Sequence, residues 1–325
     1  MLSRTADHLF WMSRYTERAE NTARMLDVSL QTSLLPQSGS SVELMWRGML
    51  SISELQEEYD ARFERLTPQS VLTFMASDPS NSSSICSCLN AARENARAVR
   101  GTLTTEAWET INSTWLELRE QLRGDALGQD PSRFFEWVKH RSHLSRGVMI
   151  GTMLRDEALY FTRLGTFLER ADNTARILDV RYHALAGQGV PEEDVSAGEA
   201  GGRSIDFYHW VAILRSVSAF EVYRKVYSDA ITPARVAELL ILRADMPRSL
   251  AHCMNEVVAN LSEVRNNQSG ETERRAGLLQ ADLRFGRVDA ILQQGLHAWL
   301  TAFLKRVNDL GDRISRDFLV PFATA

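Results

Sequence analysis

Residues 17–28 read Glu17-Arg-Ala-Glu-Asn-Thr-Ala-Arg-Met-Leu-Asp-Val28, and residues 169–180 read Glu169-Arg-Ala-Asp-Asn-Thr-Ala-Arg-Ile-Leu-Asp-Val180. Ten of the twelve positions are identical at a separation of 152 residues, and the exchanges of Glu20 for Asp172 and Met25 for Ile177 keep charge and volume. A match that close implies an internal duplication. Other pairs extend it. Trp46, Leu50 and Tyr59 correspond to Trp210, Leu214 and Tyr223 at an offset of 164. Thr67-Pro68 corresponds to Thr232-Pro233, and Ser84-Ile85, Cys88 and Asn90 to Ser249-Leu250, Cys253 and Asn255, at an offset of 165. About twelve residues therefore enter between the blocks. The stretch 187–202, rich in glycine and acidic residues, has the loop chemistry to hold them. The sequence reads as one domain over 1–325, built of repeats 1–152 and 153–325, with 187–202 as a flexible insertion loop.

Helix signals dominate both repeats. Ser40-Ser-Val-Glu43 fits a capping box, and Thr67-Pro68 and Thr232-Pro233 fit an N-cap followed by proline at the first helical position. Apolar residues recur every three or four positions in Trp46, Met49, Leu50 and again from Leu292 through Leu296, Leu300, Phe303, Val307 and Leu310 to Ile314. No alternating strand of useful length occurs, and no Asn-Gly or Asp-Gly turn joins two such strands. The expectation is an all-α, internally duplicated bundle of about ten to twelve helices with pseudo-two-fold symmetry.

On a helix, Glu17, Glu20, Asn21, Arg24 and Asp27 share one face about 120° wide, opposite Met12, Tyr15, Ala19, Ala23 and Leu26. The second copy repeats this with Glu169, Asp172, Asn173, Arg176 and Asp179. Three readings follow: a solvated polar face, a buried structural network, or a binding or catalytic site. Solvated faces drift between duplicated copies, whereas these two keep Glu, Arg, Asn, Arg and Asp in register. A buried ion pair stabilises poorly, because desolvation cancels much of the Coulomb gain. Retention in duplicate therefore points to specificity or to a site. Glu17 and Glu169 are the candidate catalytic residues; Arg18, Asn21, Arg24, Asp27, Arg170, Asn173, Arg176 and Asp179 are the candidate substrate-binding ones.

Composition narrows the classes. A net charge of −5 and a pI near 5.9 disfavour a general nucleic-acid or anionic-membrane surface. Only Lys139, Lys225 and Lys305 accompany the arginines. Cys86, Cys88 and Cys253 form neither a CxxC nor an even framework, and no run of about 18 apolar residues occurs, so a cytoplasmic, reduced, soluble protein is expected.

The start of the chain, Leu2-Ser-Arg-Thr-Ala running to Trp11-Met-Ser-Arg-Tyr-Thr-Glu-Arg-Ala-Glu, resembles the alpha-E family. So do Arg155-Asp-Glu with Leu164-Gly-Thr-Phe-Leu-Glu-Arg-Ala-Asp172 and the block from Ser83 to Gly101. That family is a bacterial all-helical domain named for its Glu-Arg motif, and the likeness covers essentially the whole chain. It implies a neighbouring circularly permuted ATP-grasp protein, often with a transglutaminase-like protein or a peptidase, and a role in a peptide or amide-bond pathway. It carries no assigned catalytic residues. Ala158-Leu-Tyr-Phe161 departs from the pattern where an aromatic such as Trp is expected.

Recognisable chemistry is sparse. No Walker or Rossmann glycine loop, no His-Glu-x-x-His and no Gly-x-Ser-x-Gly elbow is present. Neither Glu17 nor Glu169 has a His three residues on, as a helical di-iron site needs. His140 and His143 are close enough for a zinc pair, although a surface or core pair is the plainer reading. No metal and no cofactor is expected. The favoured function is a non-catalytic or co-catalytic partner of an ATP-grasp-type amide or peptide ligase, gripping a peptide, amino acid or carrier. Its arginines would hold carboxylates and its glutamates an amine. One alternative is an acyl- or amide-transferring or hydrolysing enzyme with Glu17 or Glu169 as general base; the other is a purely structural scaffold.

Overall fold

The 3.6-residue periodicity is realised throughout: the computed structural model, which describes residues 1–34, 39–186 and 202–319, contains no strand among them. Eight α-helices precede residue 153. They are α1 (Ser3–Ser33), α2 (Gly39–Ile52), α3 (Gln56–Asp60), α4 (Pro68–Ala76), α5 (Ile85–Ala98), α6 (Thr105–Arg123), α7 (Ala126–Gln129) and α8 (Pro131–Thr152). Eight more follow. They are α9 (Glu157–Ala186), α10 (Gly202–Ser216), α11 (Phe220–Tyr227), α12 (Pro233–Ala237), α13 (Leu250–Glu263), α14 (Gly270–Phe285), α15 (Val288–Gln294) and α16 (Leu296–Phe318). A π-helical turn, Glu238–Leu242, continues α12. Sixteen helices among the described residues exceed the ten to twelve expected. The surplus lies in α3, α7, α11, α12 and α15, each four to eight residues long and too short to print a period. The expected loop at 187–202 lies outside the described residues apart from Gly202, which opens α10.

Local signals set many helix starts. Thr67 accepts from the Ser70 amide at 3.1 Å and Thr232 from the Arg235 amide at 3.4 Å, each with proline next in line. Ser84 and Ser249 cap α5 and α13 in the same way, accepting from Ser87 and His252. The fully buried hydroxyls of Tyr59 and Tyr223 donate to the carbonyls of Arg65 and Ala230. One expectation needs correction. α2 opens at Gly39, so Ser40 lies within its first turn and not ahead of it. The apolar run from Leu292 to Ile314 is two helices, split at Gly295, whose φ of +91° only glycine adopts readily.

The long helices α1 and α9 pack on each other at the centre, α1 covered by α5 and α8 and α9 by α13 and α16. Their approach needs Gly165, because a Cβ there would collide with the Phe10 carbonyl and the Ser13 hydroxyl. Ser13 is the position matched to Gly165, so the helices cross at equivalent points. Burial follows from this central place. From Ala19 to Asp27 every residue of α1 is buried, polar face included, so its charged side is inside the bundle.

Candidate functional site

The crossing brings the two Glu-Arg motifs face to face. Arg170 donates from Nε and Nη2 to the two Glu17 oxygens at 2.9 Å each. Arg18 donates likewise to Glu169 at 2.6 and 3.1 Å. Both are parallel two-bond grips, the strongest geometry available to a guanidinium and a carboxylate.

Around the first copy the network is closed. Glu17 also receives Arg146 at 2.9 Å and Arg248 at 3.1 Å. Glu20 receives Arg24 and Ser142 at 2.8 Å, Arg146 at 2.5 Å, and Arg248. Arg248 further donates to Asn21 Oδ1 at 2.9 Å, whereas Asn21 Nδ2 is buried with no partner among the described residues. Arg24 reaches the Ser218 hydroxyl at 2.5 Å, and Asp27 holds Lys139 at 2.8 Å. Burial opposes ionisation of Glu17, but Arg170, Arg248 and Arg146 outweigh it and bring its carboxyl to about 2. Glu20 is held well below the carboxylate range against the same burial, by Arg248, Arg146 and Arg24. Burial pushes Arg248 down to about 10, still charged at neutral pH. His143 sits between Arg24 Nη2 at 3.1 Å and Arg146 Nη2 at 2.7 Å, with burial holding its pKa below the usual value. A neutral ring has a single acceptor nitrogen, so it can accept from one of these guanidiniums but not from both. His140 is exposed beside Glu136, so the two histidines serve different surroundings.

The second copy opens onto a cleft. Glu169 receives Arg14 at 2.7 Å as well as Arg18, and these outweigh burial to hold it at about 2. Asp172 receives Arg176 on Oδ2 at 2.8 Å, while its Oδ1 is buried without a partner among the described residues; burial pushes this carboxyl up. Asn173 donates to the Glu169 carbonyl at 3.0 Å, and Asp179 lies 2.8 Å from His297 Nδ1. A pocket of about 200 Å³ is walled by Arg18, Glu169, Asp172, Asn173, Arg176 and Ser83 among others. It adjoins a wider groove of about 670 Å³ that runs past Asp179 and His297 along α16, the two sharing Ile52, Glu54 and Arg176.

Two matched positions separate the closed copy from the open one. Arg248 precedes the α13 cap Ser249, and Ser83 precedes the α5 cap Ser84. The first fills its site with a guanidinium; the second leaves a pocket. Ser218 and Glu54, 164 residues apart, both take the left-handed backbone, at φ 53° and 57°, and each accepts from its motif arginine. Arg14, Arg146 and Arg248 escape a reading centred on the motif. The readable signal for Arg248 is an arginine facing a serine inside otherwise matched blocks. Cys88 and Cys253 are fully buried, and burial pushes both thiols to about 12, so neither is a ready nucleophile. Among the described residues no cluster of three potential metal ligands occurs, and no helix is long and apolar enough to cross a membrane.

A family model described as a predicted alpha-helical domain with a conserved ER motif matches residues 1–319. The Glu-Arg pairs at 17–18 and 169–170 both lie within it. An uncharacterized protein of Mycobacterium bovis and one of Mycobacterium tuberculosis are each 24% identical to this chain over 337 aligned residues, which cover 94% of it. The chain spans about a third of the length of these relatives, 35% in each case. No solved structure matches it.

Proposed function

The chain belongs to the alpha-E family, and from that membership and the cleft beside the second motif we propose that it is a binding partner of an ATP-grasp-type amide or peptide ligase. In this reading the cleft holds a peptide, an amino acid or a carrier while the ligase activates and joins it, in the cytoplasm. The ligase enters through the family resemblance; the cleft supports the binding.

One observation carries the choice of binding over catalysis. Glu17 and Glu169 are each gripped by at least two guanidiniums and held at about 2. A general base needs a free lone pair and a pKa near the working pH, and neither carboxylate offers them. The open groove, by contrast, has the dimensions of a small-ligand site. The closed first copy favours a structural role for that half of the motif, since its acceptors are already engaged.

The test is reconstitution with an ATP-grasp-type ligase encoded beside this chain, followed by co-elution and mass spectrometry of what the pair makes from amino acids and ATP. Co-elution with chain-dependent product formation, weakened by Glu54→Gln at the exposed cleft rim, is expected. Identical product formation without the chain, and no co-elution, would leave the scaffold reading in its place.

A further inference from the structure

The two motif copies share a backbone arrangement but not an electrostatic one. In the first, Glu17 and Glu20 face Arg24, Arg146, Arg170 and Arg248, two cations more than carboxylates. In the second, Glu54, Glu169 and Asp172 face Arg14, Arg18 and Arg176, and the charges balance. Both discriminating positions move the balance one way. Ser83 stands where Arg248 brings a cation, and Glu54 stands where Ser218 is neutral.

The closed copy also displays what the open one lacks. Arg248 reaches over its serine cap and donates to Glu17, Glu20 and Asn21. The matching residues on α9 are Glu169, Asp172 and Asn173, and all three line the pocket beside Ser83. Asp172, the counterpart of Glu20, is the one of the three left with a buried oxygen that has no partner among the described residues. An orphaned carboxylate oxygen is costly and calls for a donor, preferably a charged one.

We infer that this pocket recognises a cationic nitrogen group, an ammonium or guanidinium on a small ligand or peptide, seated where the Arg248 guanidinium sits in the other copy. The pocket of about 200 Å³ takes the cationic head, and the adjoining groove takes the rest of the molecule. The inference deepens the binding reading of the cleft and does not depend on the ligase.

Calorimetric titration of the full chain tests it with n-butylguanidinium and n-butylammonium, against n-butylurea as neutral isostere and n-butyrate as anion. At least one cation is expected to bind saturably, about tenfold or more tighter than the urea or the butyrate. Ser83→Arg supplies the guanidinium covalently and is expected to abolish cation binding while raising the melting temperature. Asp172→Asn, which removes the charge at nearly constant shape, is expected to weaken it about tenfold. Equal binding of butylurea, no saturable binding of either cation, or unchanged cation binding in both variants overturns the inference. Co-elution with the ligase is scored separately, so loss of cation selectivity with retained co-elution removes this inference alone.

Discussion

Arg170 donates two hydrogen bonds of 2.9 Å to Glu17, and Arg18, at the position matched to Arg170, returns the same grip to Glu169. The pairs are reciprocal because α1 and α9 cross at Ser13 and Gly165, themselves matched positions. Residues one turn beyond the crossing on each helix therefore meet the opposite copy. The motif thus clamps two helices together, and its second copy also lines a pocket.

Gly165→Ala should be severely destabilising, by about 2–3 kcal/mol or more, since neither the Phe10 carbonyl nor the packed Ser13 can retreat far. Gly147→Ala, inside α8 with open space around the new methyl, should be neutral or gain roughly 0.5–1 kcal/mol. Urea unfolding of the two variants measures both. A neutral Gly165→Ala would show that the helices do not approach this closely.

Glu17→Gln should lose about 3–5 kcal/mol, the cost of leaving the buried Arg170 and Arg248 uncompensated. Glu169→Gln should lose less, because Arg14 and Arg18 are partly exposed and can turn to water. Adding Arg170→Met to Glu17→Gln should recover part of that loss, because the second change removes one of the stranded charges. A double-mutant cycle by chemical denaturation gives the coupling. Additive losses would mean that the two side chains do not pair.

Stability should fall in acid. Glu17 and Glu169 ordinarily titrate near 4.5 and sit at about 2 in the folded chain. The unfolded chain therefore binds their protons first. Their contribution is complete above 4.5 and drains away as the pH drops towards 2, worth on the order of 3 kcal/mol for Glu169. Asp172 has the opposite sign: its raised carboxyl favours folding at low pH and loses that advantage as the pH rises through its folded value. The glutamates, with Glu20 beside them, dominate. Urea midpoints that stay constant from about pH 5 to about pH 3 would contradict this balance.

Gly295→Ala should cost about 1–3 kcal/mol by forcing a side chain into a left-handed backbone, although nothing crowds the new methyl. Thermal unfolding checks it. An unchanged midpoint would mean that α15 and α16 join without that turn.

Helix content, the caps at Thr67 and Thr232 and the place of both Glu-Arg motifs are legible in the amino-acid sequence, because each depends on residues within a turn or two of one another. The matched blocks are legible for a different reason: identity between distant segments needs no folding to be seen. Burial of the polar face was legible only in part, through its retention in both copies. The partners that seal it lay out of reach. Arg146 and Arg248 stand 129 and 231 residues from Glu17, and no local pattern marks them as its neighbours. Tertiary packing decided which copy is closed and which opens, by bringing two differing matched positions, Arg248 against Ser83 and Ser218 against Glu54, up to the motif faces. Charge pairing across a bundle depends on how helices cross, and the crossing is set by side-chain volume at contacts such as Gly165 rather than by the order of residues along either helix.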